Sequence, residues 1–284
     1  MNEVDIEAWV TGAPVGQRGF REAVHTILDS IGHSQHLQAK MVMKGGLLLA
    51  IRYDSSRYTR DLDFSTSDKY TTESAEAVLS DIRDGLLAAE ERLPYGTACR
   101  LQSYKVEPKG ENRTHHNLAL KIGFASKSNA AAMARLNAGN SAHVVEIDYS
   151  FNEAVFDVEV LELDGGVTIR SYTLLNVLAE KMRSLLQQPI RRRNRRQDVY
   201  DIWLLLESGE AISPAELTKI HSILSASCAS KGIIPDAKAM EAAEVVNMAR
   251  KGYEDLRSDV EGELPAFEDA MGRVLGLYRS LPWA

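Results

Sequence analysis

The strongest constraint on this chain is the stretch from Met41 to Ser65, MVMKGGLLLAIRYDSSRYTRDLDFS. An apolar run ends in Lys44-Gly45-Gly46, an amphipathic segment follows from Leu47 to Tyr53, and a polar loop leads to Asp61-Leu62-Asp63-Phe64. A glycine pair after a strand-like run lets the backbone approach a ligand, and the amides opening the next helix offer donors to phosphate oxygens. On an extended strand, residues two apart share a face and lie about 6.7 Å apart. Asp61 and Asp63 therefore face one way, Leu62 and Phe64 the other. Two carboxylates on one sheltered face repel, and a divalent cation between them resolves the repulsion. Mg²⁺ fits, because it takes a few carboxylate oxygens and completes its shell with water and substrate phosphates.

The order of glycine pair, helix, loop and Asp-x-Asp strand resembles the signature of the polymerase-β-like nucleotidyltransferase superfamily. An ordinary turn followed by an acidic edge strand would use the same residue types, so the rest of the chain has to decide. At 284 residues it can form one large or two modest domains, each with a real core. The 44% hydrophobic and 26% charged fractions exclude a disordered chain. Two cysteines, Cys99 and Cys228, stand far apart, which argues against a disulfide framework and for a reducing, cytoplasmic setting. The acidic N-terminus and the lack of an apolar run approaching ~20 residues predict no leader and no membrane span. A net charge of -7 excludes a non-specific nucleic-acid coat, though not a local basic patch.

Apolar spacing predicts a helix over 17–31 ending near Gly32, and another capped by Thr71 or Thr72 and closed by Pro94 and Gly96. Strands are expected over 98–106 and 117–124, with a short helix over 131–136. His25, His33, His36, His115 and His116 read as structural or exposed, since none has carboxylate or cysteine partners at ligand spacing. The run His143 to Ser150, HVVEIDYS, alternates: Val144, Glu146, Asp148 and Ser150 share one face, and Val145, Ile147 and Tyr149 the other. If this strand neighbours the Asp-x-Asp strand, it supplies a third carboxylate, Asp148 in preference, with Glu146 as the alternative. A wet, non-functional face would look the same. The turn at Gly165-Gly166 marks the expected boundary between domains 1–166 and 167–284.

Beyond it, Thr173 can cap a helix ended by Pro189, with Leu174, Leu175, Leu178, Met182, Leu185 and Leu186 as its apolar stripe and Lys181 on the border. Arg191, Arg192, Arg193, Arg195 and Arg196 follow, five arginines in six residues, leaving -12 on the rest of the chain. Such local concentration in an acidic protein suits a polyanion brought to one place, although a solvated loop is the plain alternative. Asp198 and Asp201 then lie on one helix face near its N-terminus, where simple capping would also put acids.

With these motifs in view, KGG, TRDLDF, EIDYS, LAEKMRSLL and QDVYDIWLL, the chain over roughly 42–206 resembles the AbiEii/AbiGii nucleotidyltransferase toxin family of toxin-antitoxin and phage-defence (abortive infection) systems. The resemblance implies an α+β protein, a polymerase-β-like catalytic domain with a mostly helical C-terminal domain that contributes Lys181 and Asp198. It implies Mg²⁺ as cofactor and a nucleoside triphosphate as substrate, and a separate antitoxin as partner. By it, Gly45, Gly46, Lys44, Arg60 and Lys181 serve the nucleotide, Asp61, Asp63 and Asp148 the metals, and Asp198 completes the site. Some relatives add nucleotides to the 3′ end of tRNA, so the expected acceptor is RNA, gripped in part by the arginine run. Two residues depart from the pattern: Leu47 stands where relatives carry a small hydroxyl residue, and Gln197 where they carry arginine. Rival readings are transfer to a small molecule or a protein side chain, and a non-catalytic nucleotide-binding partner protein.

Overall fold

The structure, a computed structural model, describes residues 2–14, 16–109, 113, 115–209 and 211–283. The chain divides into two compact units: 1–51 with 60–171, and 52–59 with 172–284. No helix of the described residues is long and apolar enough to cross a membrane.

The first unit begins with β1 (Asn2–Val4), α1 (Ile6–Thr11), α2 (Arg18–His33) and α3 (Gln35–Lys40), then β2 (Val42–Lys44) and α4 (Gly45–Arg52). It continues through β3 (Asp61–Ser65), α5 (Thr72–Arg92), β4 (Thr97–Glu107), β5 (Asn117–Ser126), α6 (Ala130–Asn137), β6 (His143–Ser150), β7 (Val158–Leu163) and β8 (Thr168–Tyr172). The strands form one mixed sheet in the order β1-β7-β8-β2-β3-β6-β5-β4. Alternation decides its two faces. Leu62, Phe64, Leu118, Leu120, Ile122, Val145, Ile147 and Tyr149 are all buried and in register across β3, β6 and β5. Each such side chain withdrawn from water contributes about 1.5–3 kcal/mol, so the register is held firmly. The intervening residues, including both aspartates of β3, are left on the opposite face.

Helix α2 packs on β4, β5, β6 and α5, and its Phe20, Val24, Ile27, Leu28 and Ile31 are buried. It ends at His33, next to Gly32, as the apolar spacing predicts. A Cβ at Gly32 would lie 2.2 Å from Val167 Cγ1, so glycine there serves close packing. Helix α5 starts at Thr71, which accepts from the Ser74 amide in a capping box. Three histidines are held by neighbours, His25 Nδ1 meeting Tyr95 Oη at 2.7 Å, His36 pairing with Asp81 at 2.8 Å and His116 stacking on Tyr70, while His115 is exposed. Cys99 and Cys228 are both buried free thiols.

The second unit contains α7 (Leu174–Arg191), α8 (Arg196–Ser208), α9 (Pro214–Ala229), α10 (Ala243–Arg250) and α11 (Phe267–Ser280). Helix α7 packs on α8, α9 and α10, and α11 packs on α8. Pro189 was expected to end α7, yet the helix runs on to Arg191. Proline has no amide to give the carbonyl four residues back. Here Gln188 Nε2 donates to Leu185 O at 3.1 Å, so that carbonyl is satisfied and the last turn persists. The segment 52–59 is fixed within the same unit: Tyr58 N donates to Asp259 O at 2.6 Å, Glu261 N to Ser56 O at 3.2 Å, and Arg57 bridges Val260.

Candidate functional site

In the first unit the site is built at the junction of β2, α4 and β3. Gly45 has φ +77°, a conformation that side chains rarely adopt, and a Cβ there would fall 1.9 Å from Asp63 Oδ2. The Asp63 carboxylate thus lies directly against the turn that opens α4. Leu47, one residue past the glycine pair, is only 1% exposed and belongs to the core, which accounts for an apolar residue at that position.

Strand β6 runs parallel to β3, with Asp61 abreast of Glu146 and Asp63 abreast of Asp148. Neighbouring strands lie about 4.8 Å apart, so four carboxylates share one patch of the polar face. The strands are neighbours, as the third-carboxylate reading requires. Glu146 is drawn toward Lys121 on β5, Nζ to Oε1 2.9 Å. Asp148 instead accepts from Asn117 Nδ2 at 2.6 Å, which orients it without neutralising it. Asp61 is held above the ordinary carboxylate value, first by partial burial, then by the charges of Glu146 and Asp148, with Arg60 partly offsetting them. Lys44 Nζ donates to Glu153 Oε2 at 2.5 Å, and Ser65 Oγ donates to the same oxygen at 2.7 Å.

Among the described residues no group of three or more His, Cys, Asp or Glu side chains is drawn together closely enough to hold a metal ion as it stands. The donor set itself fits a hard divalent cation: it offers carboxylate oxygens that strand register sets at adjacent positions of one face. Asp61, Asp63 and Asp148 would hold it.

In the second unit Lys181 and Asp198 come together, and the structure adds two partners. Lys181 Nζ donates to Asp198 Oδ1 at 3.1 Å and to Asp201 Oδ2 at 2.6 Å. Arg57 grips Asp201 with both ends of its guanidinium, Nε to Oδ1 at 2.9 Å and Nη2 to Oδ2 at 3.1 Å. Asp201 is fully buried. Burial would raise its carboxyl, but Lys181 and Arg57 overcome that and hold it below its ordinary value. For Lys181 burial acts downward, and Asp201 and Asp198 outweigh it to raise the ammonium. Of the arginine run, Arg191, Arg192 and Arg193 are exposed, and Arg196 pairs with Asp255 at 3.6 Å.

Sequence reasoning missed Asn117, Glu153 and Arg57 as members of these clusters. A strand's first residue and a loop arginine carry no periodic signal, and only the register and the path of 52–59 reveal them. Asp201 was visible as a helix-face neighbour of Asp198.

A glycine pair thus opens a helix against an Asp-x-Asp strand, with a further acid in register on the next strand. A profile for the nucleotidyl transferase AbiEii toxins of type IV toxin-antitoxin systems matches residues 27–273, and the chain belongs to that family. MenT4, a nucleotidyltransferase toxin from Mycobacterium tuberculosis H37Rv, has a similar fold: TM-score 0.56 at 16% identity, covering 97% of this chain and 88% of that one. JHP933 from Helicobacter pylori aligns over 94% of this chain and 92% of its own, at 12% identity and a TM-score of 0.43. No curated protein matches the chain.

Proposed function

We propose that this nucleotidyltransferase toxin moves a nucleoside monophosphate from a nucleoside triphosphate to RNA, with the 3′ end of tRNA as the specific acceptor and Mg²⁺ as the required ion. The observation that carries the reading is the Asp63 carboxylate, set against the Gly45 turn on one side and abreast of Asp148 on the other. That arrangement suits a triphosphate at the α4 N-terminus and an acceptor hydroxyl beside the acids. In the reaction the hydroxyl oxygen bonds to the α-phosphorus, the bond to pyrophosphate breaks, and the hydroxyl proton is released. Divalent cations held by Asp61, Asp63 and Asp148 would make that hydroxyl more acidic and offset the charge of pyrophosphate. Gly45 and Gly46 amides receive phosphate oxygens, with Lys44 and Arg60 lending positive charge nearby in sequence.

Lys181 and Asp198 are proposed to serve the same reaction, Lys181 by offsetting charge that grows on the phosphates. In this reading 1–166 is the catalytic domain, 167–284 the helical one, and the arginine run collects the RNA. The protein acts in the cytoplasm, in phage defence, and is restrained by a cognate antitoxin encoded nearby. The test is incubation with total RNA, Mg²⁺ and each α-labelled triphosphate in turn. Label at the 3′ end of tRNA, lost in Asp63→Asn, is the expected result. Label on a small molecule or on protein, with none on RNA, would overturn the acceptor.

A further inference from the structure

The arginine run is not a uniform basic surface. Arg191, Arg193 and Arg195 line one small pocket of about 40 Å³ together with Ser184, Gln187 and Gln188, whereas Arg192 and Arg196 do not. The backbone makes this division: Arg192 takes the left-handed conformation, φ 51° and ψ 35°, just where α7 ends. The loop is then pinned. Gln188, 1% exposed, accepts from Arg195 N at 2.8 Å while its amide nitrogen serves Leu185 and Val245 carbonyls. Asn194 donates to Lys251 O and accepts from Arg196 N at 2.8 Å.

We propose that this pocket is a subsite for a single backbone phosphate of the RNA acceptor, an inference that rests on RNA being the acceptor. Three observations carry it. The first is charge: among the described residues no carboxylate pairs with Arg191 or Arg193, and the nearest acid to Arg195 is Asp198 at 3.9 Å. Three arginines lining one cavity with so little counter-charge are relieved by an anion. The second is the donor inventory. Gln187 Oε1 already accepts from Arg183 Nη1 at 2.7 Å, which leaves its NH₂ group to donate, and the Ser184 hydroxyl can donate as well. The groups available to a ligand are therefore donors, matching phosphate oxygens. The third is size. One water molecule takes up roughly 10–15 Å³ of such space, so the cavity admits the free oxygens of one phosphate and not a base or a whole triphosphate.

The experiment compares tRNA affinity and its salt dependence for the full-length wild type, Arg193→Gln and Arg192→Gln. These two variants remove the same charge from the same loop, inside and outside the pocket. Arg193→Gln should lose about tenfold in affinity and about one unit of log-log salt slope, and Arg192→Gln less than half of each. Gln187→Glu, nearly isosteric, supplies the missing counter-charge from within, so it should lower RNA affinity while raising the thermal midpoint. If the wild type neither labels nor binds RNA, the acceptor reading itself falls. If it binds RNA with a measurable slope but the two arginine variants match, only the subsite falls. A raised KM for the triphosphate in Arg193→Gln, with RNA affinity intact, would reassign the pocket to the nucleotide.

Discussion

The two acidic clusters of this protein solve opposite problems. On the sheet, Asp61, Asp63, Glu146 and Asp148 are gathered by strand register, with Lys121 answering only Glu146 by a direct salt bridge. In the helical unit, Asp198 and Asp201 are matched by Lys181 and Arg57, and the four charges neutralise one another in a buried network. The first cluster gathers like charges on one sheet face, while the second sets opposite charges against each other. An acid in the first should therefore matter to chemistry more than to stability, and an acid in the second to stability as well.

Removing Asp201 should give the largest effect. Asp201→Ala leaves Arg57 and Lys181 buried with one acid between them, and should cost about 3–5 kcal/mol in urea unfolding. A cost below about 1 kcal/mol would mean that the network is wetter than its burial indicates.

Asp63→Asn is the counterpart on the sheet. Transfer activity should fall by at least about a hundredfold, while the urea midpoint stays level or rises because one repelling charge is gone. Activity and midpoint measured on the same preparation decide it, and a large loss of stability would place the two clusters in one class. Gly45→Ala should come next: a left-handed backbone costs a residue with a side chain roughly 1–2 kcal/mol, and the new methyl group must displace the Asp63 carboxylate. The variant should fold with reduced stability and lose transfer activity. Full activity would show that Asp63 does not need its position against the turn.

The smallest effect is a difference in sign with pH. Asp61 is raised, so just above its ordinary value of 3.8 the folded protein keeps a proton that the unfolded chain has lost. Its contribution therefore falls as pH rises through that window. Asp201 is lowered, so its contribution is whole above the ordinary value and is lost as pH falls through the folded one. Urea midpoints between about pH 4 and 6 should show a downward limb with rising pH that Asp61→Asn flattens. If that variant leaves the pH profile unchanged, the crowding of acids on the sheet is too well solvated to matter.

Much of the sheet cluster was legible in the sequence because a strand has a strict period of two. Once HVVEIDYS and DLDF are read as strands, the faces of Asp61, Asp63 and Asp148 follow, and only the neighbour relation has to be guessed. Lys181 and Asp198 were reached through the AbiEii resemblance and not through a period. The sequence did not disclose what each charge is paired with. The Glu153 partner of Lys44 lies in a loop beyond β6, and nothing in DSSRYTR marks Arg57 out from Arg60. The run of α7 past Pro189 was hidden for a related reason: the proline rule concerns the backbone, and a neighbouring side chain supplied the missing donor.

The path of residues 52–59 bears on how this family can be taken apart. Because that segment is assigned with 172–284, the helical unit is not a contiguous cassette. A fragment starting at residue 167 retains Lys181, Asp198 and Asp201 but loses the guanidinium that clasps Asp201, along with the backbone pairing of Tyr58 to Asp259. Swapping helical halves between relatives at the Gly165-Gly166 turn would exchange Asp201 without its arginine. A chimera built to keep the buried charges balanced must carry the short piece between α4 and β3 from the same parent as its helices.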